Sequence, residues 1–184
     1  ETDVCAWRSI PWLEVAPDQG TLAASAQQRL TYTYDATGMQ PGRYLAHLRL
    51  PNDTPYGPLT LPVTFTVQAP ATWGTINGTI YSRGYCDRHP APLAEASIRI
   101  AGADGYTATI TSDSAGRYRY ALDAAHSPLT VSVAAAGHQP LTRAGIALTA
   151  QQTTTLDLEL RTMAPCAAVT PTAITAEITP TGAA

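Results

Sequence analysis

Residues 59–67 read LTLPVTFTV, an alternation without a break. Leu59, Leu61, Val63, Phe65 and Val67 fall on one side, and Thr60, Pro62, Thr64 and Thr66 on the other. Successive side chains of a strand point to opposite faces, so a period of two predicts a half-buried strand with a core side and a wet side. Pro62 has no N–H to give to a ladder, which places this strand at a sheet edge or a bulge.

The same period recurs in both directions along the chain. RYLAHLRL sends Tyr44, Ala46, Leu48 and Leu50 one way, with Arg43, His47 and Arg49 on the other face. RLTYTY stacks Leu30, Tyr32 and Tyr34. Further on the pattern returns in Ile98 and Ile100, in Tyr118, Tyr120 and Leu122, in Leu129, Val131 and Val133, and in Leu156, Leu158 and Leu160. Turn signals such as DATG, QPG, DSAG and AAG separate these runs. No segment carries a capped helical stripe; LAASAQQRL is the nearest, and it is short. The pattern predicts an all-β fold.

Composition agrees. Charged residues make up 14% of the 184, against roughly 25% in ordinary soluble domains. The net charge is −3 and the eleven basic residues are all arginine, scattered along the chain rather than clustered. Nucleic acid and anionic membrane are therefore poor partners, and no apolar run approaches the ~18 residues of a membrane span. Division falls at a short linker, residues 69–72. A first block covers residues 1–68 and a second residues 73–163, and a Pro- and Thr-bearing tail covers 164–184. Cys5, Cys86 and Cys166 lie too far apart for a zinc ribbon or a Cys-x-x-Cys site. They read as one disulfide and one leftover thiol.

Several residues carry resemblances. PWLEVAPDQGTL, with Trp12, Leu13, Val15, Pro17 and Gly20, is followed by YDATGMQPGRY, by Asn52-Asp53 and by the LTLPVTFTV strand. This series resembles an Ig-like repeat of the BACON and ASPM/SPD-2/Hydin kind, lacking the strands that normally precede PWL. The tail segment AVTPTAITAEITP looks like such an opening strand. The second block runs through GTINGTI (74–80), PLAEASIRI (92–100), TSDSAGRYRY (111–120), LTVSVAAAGHQP (129–140) and LTAQQTTTLDLEL. It resembles the carboxypeptidase regulatory-like domain, a transthyretin-like sandwich. The resemblance implies two small β-sandwich modules, the first partial, plus a strand-forming tail. Arrays of these two kinds are similar to the C-terminal regions of bacterial secreted subtilisin-like proteases. In sandwiches of this resemblance the first and last strands run side by side and parallel, which implies a Cys86–Cys166 disulfide with Cys5 left over.

The sequence offers little catalytic chemistry. There is no G-x-S-x-G elbow, and His47, His89, His126 and His138 stand singly in the sequence. No nucleophile–base pair, cofactor site or metal-ligand set is expected, and Asp87 beside Cys86, Arg88 and His89 offers too few ligands. The Tyr-Arg-Gly-Ser ending of hydroxyisourate hydrolases and the His-x-His of intradiol dioxygenases are both absent. Without lysine, a Lys–Asn isopeptide cross-link is chemically impossible. Asn52-Asp53-Thr54 and Asn77-Gly78-Thr79 match the N-glycosylation pattern.

The expectation is a non-catalytic accessory piece of a secreted or cell-surface multidomain protein, its partners being the neighbouring domains. The alternative is a carbohydrate- or protein-binding module, with Trp7, Trp73, Tyr81 and Tyr85 as stacking aromatics; a transthyretin-fold enzyme is a remote third. The tail, with Ile174, Ala176 and Ile178 on one side, is expected to add as a strand to the first block, in the same chain or across a strand-exchanged dimer.

Overall fold

The alternating stretches form strands. The computed structural model describes residues 10–55 and 57–164, and the chain divides into two units between Pro70 and Ala71. Among the described residues the fold is all-β, apart from a 3-10 turn at Ala124–His126. The expected tail strand and Cys166, like Cys5 and Trp7, lie outside the described residues.

The first unit contains two antiparallel ribbons. In one, β1 (Leu13–Ala16) pairs with β2 (Thr31–Tyr34). In the other, β3 (Gly42–Leu50) pairs with β4 (Leu59–Val67) in an unbroken register, Gly42 opposite Val67 and Leu50 opposite Leu59. Pro62 sits opposite His47 in this two-stranded ribbon, where both strands are edges. Rings join the ribbons: Trp12 stacks on Phe65 at 5.5 Å between centroids, and Tyr34 on Phe65 at 5.1 Å. Only Ala46 and Val63 of this unit are fully buried among the described residues, and Tyr34 remains 44% exposed. This is a thin core, as expected where few apolar side chains find a second layer.

The second unit is a sandwich of two sheets. One sheet is antiparallel throughout. It places β7 (Ser97–Gly102) between β8 (Thr107–Thr111) and β10 (Leu129–Ala134), with β11 (Leu141–Ile146) at the far edge. A bulge shifts the β10–β11 register between Leu129 and Val131, a device that discourages further pairing at an edge. The other sheet is organised on β5 (Trp73–Arg83). β9 (Arg117–Asp123) and the short β6 (Ala91–Pro92) run antiparallel to it. β12 (Thr153–Thr155) and β13 (Leu158–Arg161) run parallel to it in one register, Thr153 opposite Thr75 and Arg161 opposite Arg83.

Between the sheets lies an aliphatic core. Ile76 and Ile80 of β5 meet Ile98, Ile100, Leu129, Val131 and Val133 of the facing sheet, with Leu122 and Leu160 beside them. Burying a side chain of this size contributes about 1.5–3 kcal/mol. Ser112 is the sole buried polar residue among those described. It is satisfied, donating to the Leu93 carbonyl at 2.7 Å and accepting from the Ala96 amide at 3.0 Å.

Two glycines are forced by their surroundings. Gly116 closes the DSAG turn at φ +72°, where the Asp113 carboxylate accepts from the Ala115 and Arg117 amides at 2.9 and 2.8 Å. At Gly78 the cause is space: a Cβ there would lie 2.0 Å from the Leu156 carbonyl oxygen. Leu156 turns that carbonyl to the Tyr118 hydroxyl, which donates to it at 2.7 Å. The β12–β13 strand is interrupted at this point, and the Asp157 carboxylate accepts the Thr79 amide at 2.7 Å. Gly78→Ala is expected to destabilise the second unit by about 2–3 kcal/mol, the upper part of the range for inserted methyl groups. Gly20→Ala, with nothing within 4 Å of its Cβ position, should change stability by about 0.5 kcal/mol or less; thermal denaturation of both variants checks this.

Candidate functional site

The broken parallel pairing leaves a groove. Side chains at odd positions of β5 point away from the core, and β9 and β12 place their own outward residues beside them. The register aligns Arg119, Asn77 and Thr155 in one row, and Arg117 with Thr79 in the next. The resulting open groove has a volume of ≈ 650 Å³ and extends over Asp157 on one side and Thr111 and Asp113 on the other. Tyr118 forms its floor, with its hydroxyl already committed to Leu156. Burial raises the pKa of that hydroxyl above the usual tyrosine range, and the Asp157 charge adds to the effect. Asn77 accepts from the Thr155 hydroxyl at 2.9 Å. The sequence singled out Asn77-Gly78-Thr79 and the DSAG turn, but not this face as a whole, because its residues come from four separate segments.

The proposed stacking aromatics do not gather here. Trp73 and Tyr81 share the outward face of β5 but stand eight residues apart, roughly 26 Å along an extended strand. Tyr85 lies beyond the strand, 58% exposed, and accepts a long 3.4 Å bond from the Gln139 amide. Of the two sequons, Asn52 is folded into its own turn, its side-chain nitrogen donating to the Gly57 carbonyl at 2.7 Å. Asp87 accepts the Gly84 amide at 2.6 Å. No cluster of three or more metal-ligating side chains occurs among the described residues.

Two histidines that stand singly in the sequence have side-chain partners in the fold. His138 Nδ1 lies 2.8 Å from the Ala136 carbonyl oxygen. A carbonyl can only accept, so Nδ1 carries the proton and Nε2 is left as an acceptor. Ser82 Oγ, 2.7 Å from Nε2, therefore donates to it. A hydroxyl, an imidazole and an orienting group in series form the start of a nucleophile–base arrangement. The partners are 56 residues apart and meet only when the sheets stack. Backbone bonds show what the pair does in the fold: Gln139 N–H donates to the Arg161 carbonyl and Met163 N–H to the Gly137 carbonyl, both at 2.8 Å. The Ser82–His138 bond fastens the same turn to the end of β5.

The second pair is His126 with Asp104, Nδ1 to Oδ2 at 2.7 Å. The imidazole stacks on Tyr106 at 4.1 Å between centroids, and the Tyr106 and Tyr120 hydroxyls meet at 2.8 Å. Burial, then the Tyr120 hydrogen bond, pushes the Tyr106 phenol above its ordinary range. The His126 bond, followed by the Tyr106 amide, holds the exposed Asp104 carboxyl below its ordinary value. A carboxyl lowered in this way supports the fold above its ordinary titration range and loses that support as pH falls through the lowered value.

Cys86, three residues past β5, is disulfide-bonded. The parallel neighbours expected for the first and last strands of the second block are present as β5 and β13.

Residues 75–161, just under half of the chain, match the family model for the carboxypeptidase regulatory-like domain. No curated protein matches the chain. Among solved structures, the major plantain pollen allergen Pla l 1 is 12% identical at a TM-score of 0.41, the match covering 53% of this chain and 99% of that one. The minor pilin GBS52 of Streptococcus agalactiae is 13% identical at a TM-score of 0.39, over 78% of this chain and 72% of the pilin. The Bacillus anthracis TIE protein is 8% identical at 0.39, over 85% of this chain and 33% of its own.

Two outcomes are expected of these pairs. Ser82→Ala leaves His138 Nε2 without its donor and should cost about 1–2 kcal/mol in chemical denaturation, while a phosphonate probe for serine nucleophiles leaves Ser82 of the parent chain unlabelled by mass spectrometry. In a carboxyl NMR titration, Asp104 should have its midpoint below 3.8, and His126→Gln should move it upward.

Proposed function

We propose that this chain is a non-catalytic accessory segment of a larger secreted or cell-surface protein, and that its second sandwich holds the neighbouring modules apart. One observation carries the reading: the first and last strands of the sandwich, β5 and β13, are parallel and adjacent. The chain therefore comes in at the Trp73 end of β5 and goes out past Arg161, beside Arg83 at the other end. The two ends of β5 are about 33 Å apart at ~3.3 Å per residue. A module threaded from one end to the other lengthens an array, whereas one with its termini together only decorates it. Without a covalent link between the two strand ends, tension along the array would load the β5–β13 pairing in shear, with its ladder bonds sharing the strain.

The match of residues 75–161 to a regulatory-like domain family supports an accessory role. A bacterial subtilisin-like peptidase is the parent we propose, on the order of the two module resemblances along the chain. An oxidising compartment fits a disulfide at Cys86.

We further propose that Cys86 pairs with Cys166. Cys86 follows β5, and Cys166 follows β13 at the end where those strands finish side by side. The bond would close a loop of about 80 residues and add about 4–5 kcal/mol by restricting the unfolded chain. It would also carry tension directly from β5 to the outgoing chain, so that the intervening strands bear none. Non-reducing peptide mapping should link Cys86 to Cys166. In single-molecule stretching, reduction should lengthen the unfolding step by roughly 280 Å, about 3.5 Å for each residue released. A Cys5–Cys86 peptide, or a step unaltered by reductant, would refute the pairing.

A further inference from the structure

The groove over β5 combines unspent charge with fixed acceptors. Arg117 and Arg119 are exposed, two residues apart on the same face of β9, roughly 6.6 Å along the strand. Neither guanidinium has an ion-pair partner among the described residues, although Asp113 and Asp157 line the same groove. Those carboxylates are held by backbone: Asp113 Oδ1 by the Ala115 and Arg117 amides, and Asp157 Oδ1 by the Thr79 amide. Their second oxygens take no bond among the described residues. The groove therefore presents two donor forks that want an acid and two anchored acceptors that want hydroxyls.

We propose that this face binds a polyuronate, a polysaccharide whose rings carry both carboxylates and hydroxyls. A carboxylate is met bidentately by a guanidinium fork, while ring hydroxyls donate to the Asp113 and Asp157 oxygens. A neutral glycan leaves both guanidiniums unanswered. A densely sulfated polymer brings too few hydroxyls and too much charge against the two aspartates. Stacking recognition is not on offer, since the groove's one aromatic, Tyr118, is buried as its floor. The ≈ 650 Å³ volume falls within the ~300–1,000 Å³ usual for small-ligand sites, which suits a short run of sugar rings. This assignment goes beyond the spacer role and does not depend on it.

The test uses residues 1–184 in affinity electrophoresis and calorimetry, with polygalacturonate as the probe. Heparin, a neutral glucan and poly-L-glutamate serve as comparisons. The expected result is retardation by polygalacturonate that weakens with added salt. An Arg117→Gln/Arg119→Gln double variant should bind at least tenfold more weakly at an unchanged unfolding midpoint. Arg99→Gln, which removes an exposed arginine of the other sheet, should bind like the parent. Failure to bind polygalacturonate, or binding that survives in the double variant, overturns the site. Equal or tighter binding of poly-L-glutamate or heparin overturns the uronate assignment in favour of plain charge, and equal binding of the glucan removes the role of charge altogether.

Discussion

The second unit turns on the missing Cβ at Gly78. β5 bonds along both edges, to β9 on one and to β12 and β13 on the other. At its middle the Leu156 carbonyl presses so close that no side chain fits. That approach lets the carbonyl reach the Tyr118 hydroxyl and leaves the Thr79 amide to the Asp157 carboxylate. A polar floor, a fixed acceptor and an interrupted strand all result from one atom that is not there. The register survives the interruption, with Leu158 again opposite Ile80, so the parallel pairing continues to the end of the sandwich.

Burial divides the two units. Aliphatic side chains from both sheets fill the second, and nine of them are almost wholly removed from water. The first unit relies on rings bridging two ribbons, with Trp12 touching Tyr34, Tyr44 and Phe65. Aromatic rings contribute large areas from few positions, which suits a unit with two fully buried residues among those described. Leu45 and Leu59 stay more than half exposed there.

Polar pairs in the second unit follow a common logic. Ser82 with His138, Asp104 with His126 and Ser112 with Leu93 each join segments distant in sequence at a sheet end or a turn. Each directs a donor at a defined acceptor, so each selects one arrangement of a loop where apolar packing would accept several. A hydroxyl on an imidazole can serve such a tie as readily as it serves catalysis. The backbone bonds around His138 show this pair acting as a tie between its turn and the end of β5.

Strand identity was legible in the chain itself. A period of two is a local property of adjacent side chains, so LTLPVTFTV and LTVSVA declare their faces without help. The buried positions Ile98, Ile100, Leu129, Val131, Val133, Leu158 and Leu160 could be named from that alternation alone. Gly116 announced its turn, since positive φ beside Asp113 is local chemistry too. The groove could not be read, because Arg117, Asn77 and Thr155 become neighbours only through strand register. The Ser82–His138 bond was hidden for the same reason, and the sequence did not show that Gly78 must lack a side chain, since the Leu156 carbonyl meets it only across the folded sheet. Side-chain periodicity is set within a few residues, whereas proximity across sheets is set by how the core closes, and only the folded chain decides that.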